Sequence, residues 1–215
     1  AAEPGVGDSL VTPTLHADTE AFVPGATTWV AIRLRIEPGW HVYWDGDNDT
    51  GMPLSVKWTL PRGWEAGPLL WPAPHRYISP GDILDHVYED EVVVLTSIRV
   101  PETAVPERRV GVSADLSWLV CKDVCLPEDA TVRLTLDTAT AARPDPVGAA
   151  MVRAAREALP TPVKDISAPD APVRAEWTPD GVRLTAPGAT RIEYYNLRPS
   201  AALAAPIEDA AKDGD

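Results

Sequence analysis

Cysteine is nearly absent: the 215-residue sequence holds two, Cys121 and Cys125. A small disulfide-stapled scaffold spreads several bridges over its loops, so that class is excluded. Phenylalanine is scarcer still, one residue against eight tryptophans. Tryptophan usually keeps its indole N–H near a partner or a surface, so several of these rings are expected to line a groove as well as a core. Positive charge is also short, with 19 Lys and Arg against 32 Asp and Glu, a formal net charge of -13 and a pI near 4.7. Sequence-independent binding of nucleic acid, which needs clustered cations on the phosphates, is thereby excluded, and anionic membrane surfaces are disfavoured. No run of about 18 apolar residues is present, so no segment is expected to insert into a bilayer. There is no Gly-rich phosphate loop after a strand and no nucleophile elbow around a serine. His16, His41, His75 and His86 show no paired spacing, so neither a metal nor an organic cofactor is expected.

What is there reads as strands. Over residues 28–36, Val30, Ile32, Leu34 and Ile36 alternate with Arg33 and Arg35, the period of a half-buried strand, and Pro38-Gly39 ends it. Leu54, Val56, Trp58 and Leu60 repeat the pattern up to Pro61-Arg62-Gly63. Further strands are expected around Val92, Val94, Ile98 and Val100, then Val110, Val112, Ala114 and Leu116, then Val132, Leu134 and Leu136. Strands separated by turns, with almost no helical period before residue 144, predict an all-β, antiparallel sandwich. Residues 71–90 carry Pro72, Pro74, Pro80 and Gly81 without clean alternation. They are expected to form a long ordered loop, a kind of segment that usually serves function.

After Asp137 the composition turns to Ala, Pro and Asp. Asp145 and Pro146 read as a helix cap and first position, with Val147, Met151, Ala154, Ala155, Ala158 and Leu159 as the apolar face up to Pro160. Val173, Ala175 and Trp177, the turn Thr178-Pro179-Asp180-Gly181, then Val182 and Leu184 predict a hairpin, with a third strand over 191–197. The expected division is therefore a sandwich unit over 1–140 that carries both cysteines, an Ala/Pro-rich linker with a short helix over 141–172, and a β-hairpin region over 173–215. Three short strands rarely stand alone, so the last region either packs on the first or begins a second sandwich. The acidic stretch 208–215 is expected to fray. The start Ala1-Ala2-Glu3-Pro4 would suit a mature terminus after signal cleavage.

The chemistry lies in Trp118-Leu119-Val120-Cys121-Lys122-Asp123-Val124-Cys125-Leu126-Pro127, which places two thiols at the end of a hairpin. A bridge closing a loop of about five residues stabilises by roughly 2 kcal/mol, against about 4.7 for a 100-residue loop. That is a poor staple and a reasonable store for two electrons, because exchange proceeds by thiolate attack on an accessible sulfur. Lys122 and Asp123 push the thiol pKa values in opposite directions. The rival reading is a Trp-rich binding module that stacks sugars or docks protein, its cysteines merely pinning a hairpin.

Several motifs in order carry a resemblance. Pro38-Gly39-Trp40-His41-Val42-Tyr43-Trp44, Gly51-Met52-Pro53-Leu54, Leu60-Pro61-Arg62-Gly63, Trp71-Pro72-Ala73-Pro74, Val87-Tyr88-Glu89-Asp90-Glu91-Val92 and the cysteine segment span roughly residues 10–137. In this the sequence resembles the amino-terminal domains of DsbD-type and ScsB-type thiol:disulfide interchange proteins. The cysteine spacing and tryptophan content look closer to the ScsB type, which is linked to copper tolerance; cytochrome c biogenesis is the other role the likeness brings. The resemblance implies an immunoglobulin-like periplasmic domain of an inner-membrane protein. Its cysteine pair would take electrons from thioredoxin-like and transmembrane domains of the same parent and reduce thioredoxin-fold, disulfide isomerase-like partners. It also implies that Cys125 forms the mixed disulfide and Cys121 resolves it. A loop covers the pair in that family, and residues 71–90 match its place, which makes Trp71, His75, Tyr77 and Tyr88 cap candidates. His41, Tyr43, Trp44 and Trp118 are candidates to flank the cysteines, with an edge-of-core or surface position as the plain alternative for each.

Overall fold

A computed structural model describes residues 9–46, 48–81, 83–160, 173–179 and 181–186. Among these the chain forms β1 (Val11–Ala17), β2 (Ala21–Phe22), β3 (Thr27–Ile36), β4 (His41–Tyr43), β5 (Ser55–Thr59) and β6 (Glu65–Ala66). It continues with β7 (His75–Ser79), β8 (Ile83–Glu89), β9 (Glu91–Arg99), β10 (Arg109–Cys121), β11 (Cys125–Thr138), α1 (Pro146–Glu157), β12 (Arg174–Thr178) and β13 (Gly181–Thr185). One sheet runs β1-β3-β9-β6; the other runs β2-β11-β10-β4-β8-β7, with β5 also paired to β10. Apart from the parallel β2–β11 pair, the pairings in these two sheets are antiparallel. The result is an all-β, immunoglobulin-like antiparallel sandwich.

Alternation builds the interior. Ile32 and Leu34 of β3, Val92 and Val94 of β9, and Ala114, Leu116, Trp118 and Val120 of β10 meet in one core cluster. Phe22, Val30, Ile98, Val100 and Val112 form a second. Trp71 and Trp118 lie in the first cluster, Trp40, Trp44 and Trp58 pack against it, Trp64 packs against the second, and Trp29 lies under the helix. Two of these rings, Trp71 and Trp118, are buried, and the other five are partly buried against the core. β1 carries Pro13, which is tolerated because β1 is an edge strand. Its start is pinned to β11 by the Glu128 carboxylate, which accepts from Leu10 N at 2.8 Å and Val11 N at 3.2 Å.

Residues 71–90 are not the long loop expected: β7 and β8 pair from His75↔Val87 to Ser79↔Ile83 around a turn at Pro80-Gly81, where Gly81 has φ +95°. The alternation is hidden because β8 is buried on both faces, with Asp85, His86, Val87 and Tyr88 in succession below the surface. The hairpin expected after residue 172 is present as β12 and β13, paired from Arg174↔Thr185 to Thr178↔Gly181. Residues 191–197 and 208–215 lie outside the described residues.

Helix α1 begins as its sequence dictates, Asp145 accepting from Val147 N and Gly148 N at 3.1 and 2.7 Å with Pro146 in the first position. Its buried stripe is Gly148, Val152 and Ala155, whereas Val147 is exposed, so the inward face is rotated from the one expected. The cause is close approach: a Cβ at Gly148 would fall 1.8 Å from the Ala17 carbonyl oxygen. Helix and sheet meet through Val152, Ala155, Ala31 and Leu95, and the Arg156 guanidinium lies 3.9 Å over the Trp29 ring.

A test follows from this seat. Helix propensity alone favours Gly148→Ala by about 1 kcal/mol, but the clash with rigid backbone should dominate and destabilise the domain by about 1–3 kcal/mol. Urea unfolding of the variant should show a lower midpoint; an unchanged or higher one contradicts the docking described.

Candidate redox site

Strand parity decides what surrounds the cysteines. Successive side chains of β10 point to opposite faces, so Trp118 and Val120 enter the core while Leu119 and Cys121 point outward. Cys121 stands opposite Cys125 on one side and His41 on the other, and His41 stands opposite Glu89. Directly opposed residues share a face. Glu89, His41, Cys121 and Cys125 thus form one row on the outer face of the sheet, with Val87 and Tyr43 in the row beside it.

This outer face is nevertheless covered: Cys121 and Tyr43 are each 2% exposed and His41 4%. Residues 44–53 supply one cover. Asn48 accepts from His86 N at 2.7 Å, Asp49 from Leu84 N at 2.7 Å, and the buried Asp85 carboxylate accepts from Thr50 N at 3.0 Å and Thr50 Oγ1 at 2.6 Å. These bonds lay Gly51 onto the Tyr43 ring, where a Cβ would fall 1.9 Å from Cδ1. Strand β7 supplies the other cover, its Tyr77 ring lying 4.6 Å from that of His41.

Cys121 and Cys125 are joined in a disulfide, their Cα atoms 4.2 Å apart. The two sulfurs differ in access, for Cys121 is buried and Cys125 belongs to the exposed tip with Lys122, Asp123, Val124 and Leu126. Tyr43 Oη lies 3.6 Å from Cys125 Sγ, within hydrogen-bond range for sulfur, and His41 Nε2 lies 3.4 Å from Tyr43 Oη. Burial pushes the His41 pKa below its ordinary value, opposed by the charges of Glu89 and Asp85. Burial raises the Tyr43 pKa, opposed by a hydrogen bond with Thr50. At neutral pH the bridge therefore lies beside a neutral imidazole and a neutral phenol, with Cys125 on the exposed tip.

Of the residues singled out from sequence, the fold gathers His41, Tyr43 and Tyr77 around the Cys121–Cys125 bond. It does not gather Trp71, Tyr88 or Trp118. All three face the main core, Trp118 by the parity of β10, Tyr88 because it opposes Val42, and Trp71 by stacking on Tyr88 with centroids 6.0 Å apart. The Tyr88 hydroxyl donates to Pro72 O at 2.7 Å. Trp44 sits against His86 at 5.7 Å, and His75 is exposed on β7. Asn48, Asp49, Thr50, Gly51 and Asp85 were not anticipated. The signal available was the run of turn-forming residues between two strands, which announces a loop but not what it covers.

The model of the family described as "Thiol:disulfide interchange protein DsbD, N-terminal" matches residues 12–137, more than half of the chain. The chain belongs to the DsbD N-terminal domain family. No curated protein matches it. Among solved structures, the N-terminal periplasmic domain of ScsB from Proteus mirabilis aligns with a TM-score of 0.55 at 18% identity, covering 72% of this chain and 56% of that one. The chain thus spans little more than half the length of that ScsB domain, and a likeness at this identity speaks for the fold. The reduced Neisseria meningitidis DsbD N-terminal domain aligns with a TM-score of 0.39 at 17% identity, over 63% of this chain and 90% of that one. Among the described residues of this DsbD-family chain, no helix is long and apolar enough to cross a membrane.

The buried imidazole gives a signed pH effect. Because the folded pKa of His41 is depressed, the unfolded chain binds a proton near pH 6.5 that the folded chain refuses. The stability linked to His41 is complete above about pH 6.5 and is lost as pH falls through that value toward the folded pKa. Asp18, whose pKa burial raises, acts with the opposite sign in a more acidic window. Urea unfolding from pH 7.5 to 5 should show stability falling for the parent and a shallower fall for His41→Gln; equal slopes contradict the assignment.

Proposed function

We propose that this domain relays electron pairs by thiol-disulfide exchange at Cys121 and Cys125, as the periplasmic part of a membrane-anchored reductase, and passes them to oxidised thioredoxin-fold partners. The observation that supports it best is the unequal access of the two sulfurs. An exposed Cys125 beside a buried Cys121 suits a bond opened from one side by another protein's sulfur. Val124 is 60% and Leu126 40% exposed next to Cys125, apolar surface that a docking protein would bury. The donor, on this reading, is a thioredoxin-like domain of the same parent protein, itself reduced from transmembrane domains. The chemistry asks for no organic cofactor or metal. Residues 1–140 form the exchanging unit, followed by the linker helix and the β12–β13 hairpin.

Each step balances within the sulfurs. In the reduced domain the Cys125 thiolate attacks one sulfur of the partner's disulfide, forming a mixed disulfide and expelling the partner's second sulfur as a thiolate. The Cys121 thiolate then attacks Cys125 Sγ, re-forms the domain's own bridge and releases the partner with two reduced sulfurs. Two electrons have passed to the partner, and the reverse sequence with a dithiol donor recharges the domain.

The direct test is capture. Cys121→Ala, reduced and mixed with an oxidised thioredoxin-fold disulfide isomerase, should accumulate a covalent complex through Cys125 on a non-reducing gel, whereas Cys125→Ala should not. A complex formed only by Cys125→Ala reverses the assigned order of the cysteines, and one formed equally by both variants contradicts any fixed order. The absence of any complex, with binding of other ligands intact after both cysteines are replaced, removes the relay in favour of a binding module.

A further inference from the structure

The hydroxyl of Tyr43 hydrogen-bonds with Thr50 and has two further neighbours. Cys125 Sγ lies 3.6 Å from it and His41 Nε2 lies 3.4 Å from it. The links join into a chain from an exposed sulfur to a buried imidazole that opposes Cys121 across the strands. The rings are held. Gly51 lies on the Tyr43 ring, Tyr77 packs on His41, and the His41 and Tyr43 rings meet edge to face at 5.3 Å. The groups facing His41 are Tyr43 on its own strand, Cys121 of β10, Tyr77 of β7, and Glu89 and Asp85 of β8. Both charged groups in that set are carboxylates. Burial keeps the imidazole neutral and able to accept, while Glu89 and Asp85 oppose that effect and favour a proton once it arrives.

We infer that His41 takes up the Cys125 proton through the Tyr43 hydroxyl, so that Tyr43 is the catalytic group on the reacting sulfur and His41 its positioning and proton-accepting partner. The inference rests on the exchange function proposed above. In the reduced domain the Cys125 S–H proton moves to Tyr43 Oη as the hydroxyl proton moves to His41 Nε2. This leaves a Cys125 thiolate, a neutral tyrosine and an imidazolium. The thiolate then supplies the electron pair that forms the mixed disulfide, the partner's S–S bond breaks, and the departing thiolate or solvent receives the His41 proton. No redox equivalent beyond the partner's disulfide is consumed.

The test uses the full chain carrying Cys121→Ala, so that Cys125 alone reports. Alkylation by iodoacetamide is followed from pH 5 to 10, with Tyr43→Phe, His41→Gln and their combination added in turn. Tyr43→Phe keeps the ring and removes one oxygen; His41→Gln keeps polar atoms but cannot titrate. Each should raise the pH midpoint of Cys125 alkylation by about one unit, and so slow alkylation at pH 7 by about tenfold, since only the thiolate reacts. Because His41 acts through Tyr43, the combined variant should match Tyr43→Phe alone. In the unsubstituted reduced protein, the His41 imidazole resonances should respond to the ionisation of Cys125 as well as to their own, as interacting sites do. An unchanged midpoint in His41→Gln, or additive effects of the two substitutions, overturns the inference. His41 resonances that do not respond to Cys125 ionisation in the unsubstituted protein overturn it too, even if a variant fails to fold. Failure of the exchange function shows differently, as normal alkylation with no mixed disulfide to any thioredoxin-fold partner.

Discussion

The arrangement depends on one registration, the pairing of the last residue of β10 with Cys125 on one side and His41 on the other. A slip of one residue would turn every side chain to the other face. The cysteines would then enter the sandwich core, and Trp118 and Val120 would leave it. Burial of Ala114, Leu116, Trp118 and Val120 opposes such a slip, because these four residues hold the inner row in place. The hydrophobic core of the sandwich is therefore what aims the sulfurs.

A second consequence is a division of labour between stability and chemistry. The sandwich is held by its two clusters and by α1 docked over Ala31 and Leu95. The bridge closes so short a loop that its chain-entropy contribution is small, about 2 kcal/mol. The bond can open without the fold depending on it. The cover over the outer face is polar where it grips and close-fitting where it rests. The buried Asp85 carboxylate is satisfied by Thr50 N and Oγ1, and satisfaction of this kind is what makes a buried charge tolerable. Gly51 then permits contact with Tyr43 that no other residue type would allow.

Much of this was legible in the sequence where one face of a strand is dry and the other wet. β3, β5, β9, β10 and β11 show that alternation, and the Asp145-Pro146 pair announced the helix start. β8 did not, because polar Asp85 and His86 are buried beside Val87 and Tyr88, and the covering loop that satisfies Asp85 is remote in sequence. The inward face of α1 was misplaced for a similar reason, since a glycine contact with Ala17 rather than an apolar stripe sets its rotation. At the site, the cysteine pair stands out by its scarcity and spacing, and His41, Tyr43 and Tyr77 come with the family likeness. Trp71, Tyr88 and Trp118 share motifs with the site and point away from it. Motif order carries no information about which face of a sheet a side chain takes until the register of neighbouring strands is known.

The claim at the centre is that the Cys121–Cys125 bond is a working redox couple and not a permanent staple. Its equilibrium reduction potential, measured on the intact chain against a glutathione or dithiothreitol buffer series, tests that claim most directly. The account predicts a potential clearly above about -300 mV, with the fold retained when the bond is reduced. A bond that stays closed at potentials below about -300 mV, or a domain that unfolds when it opens, would contradict it.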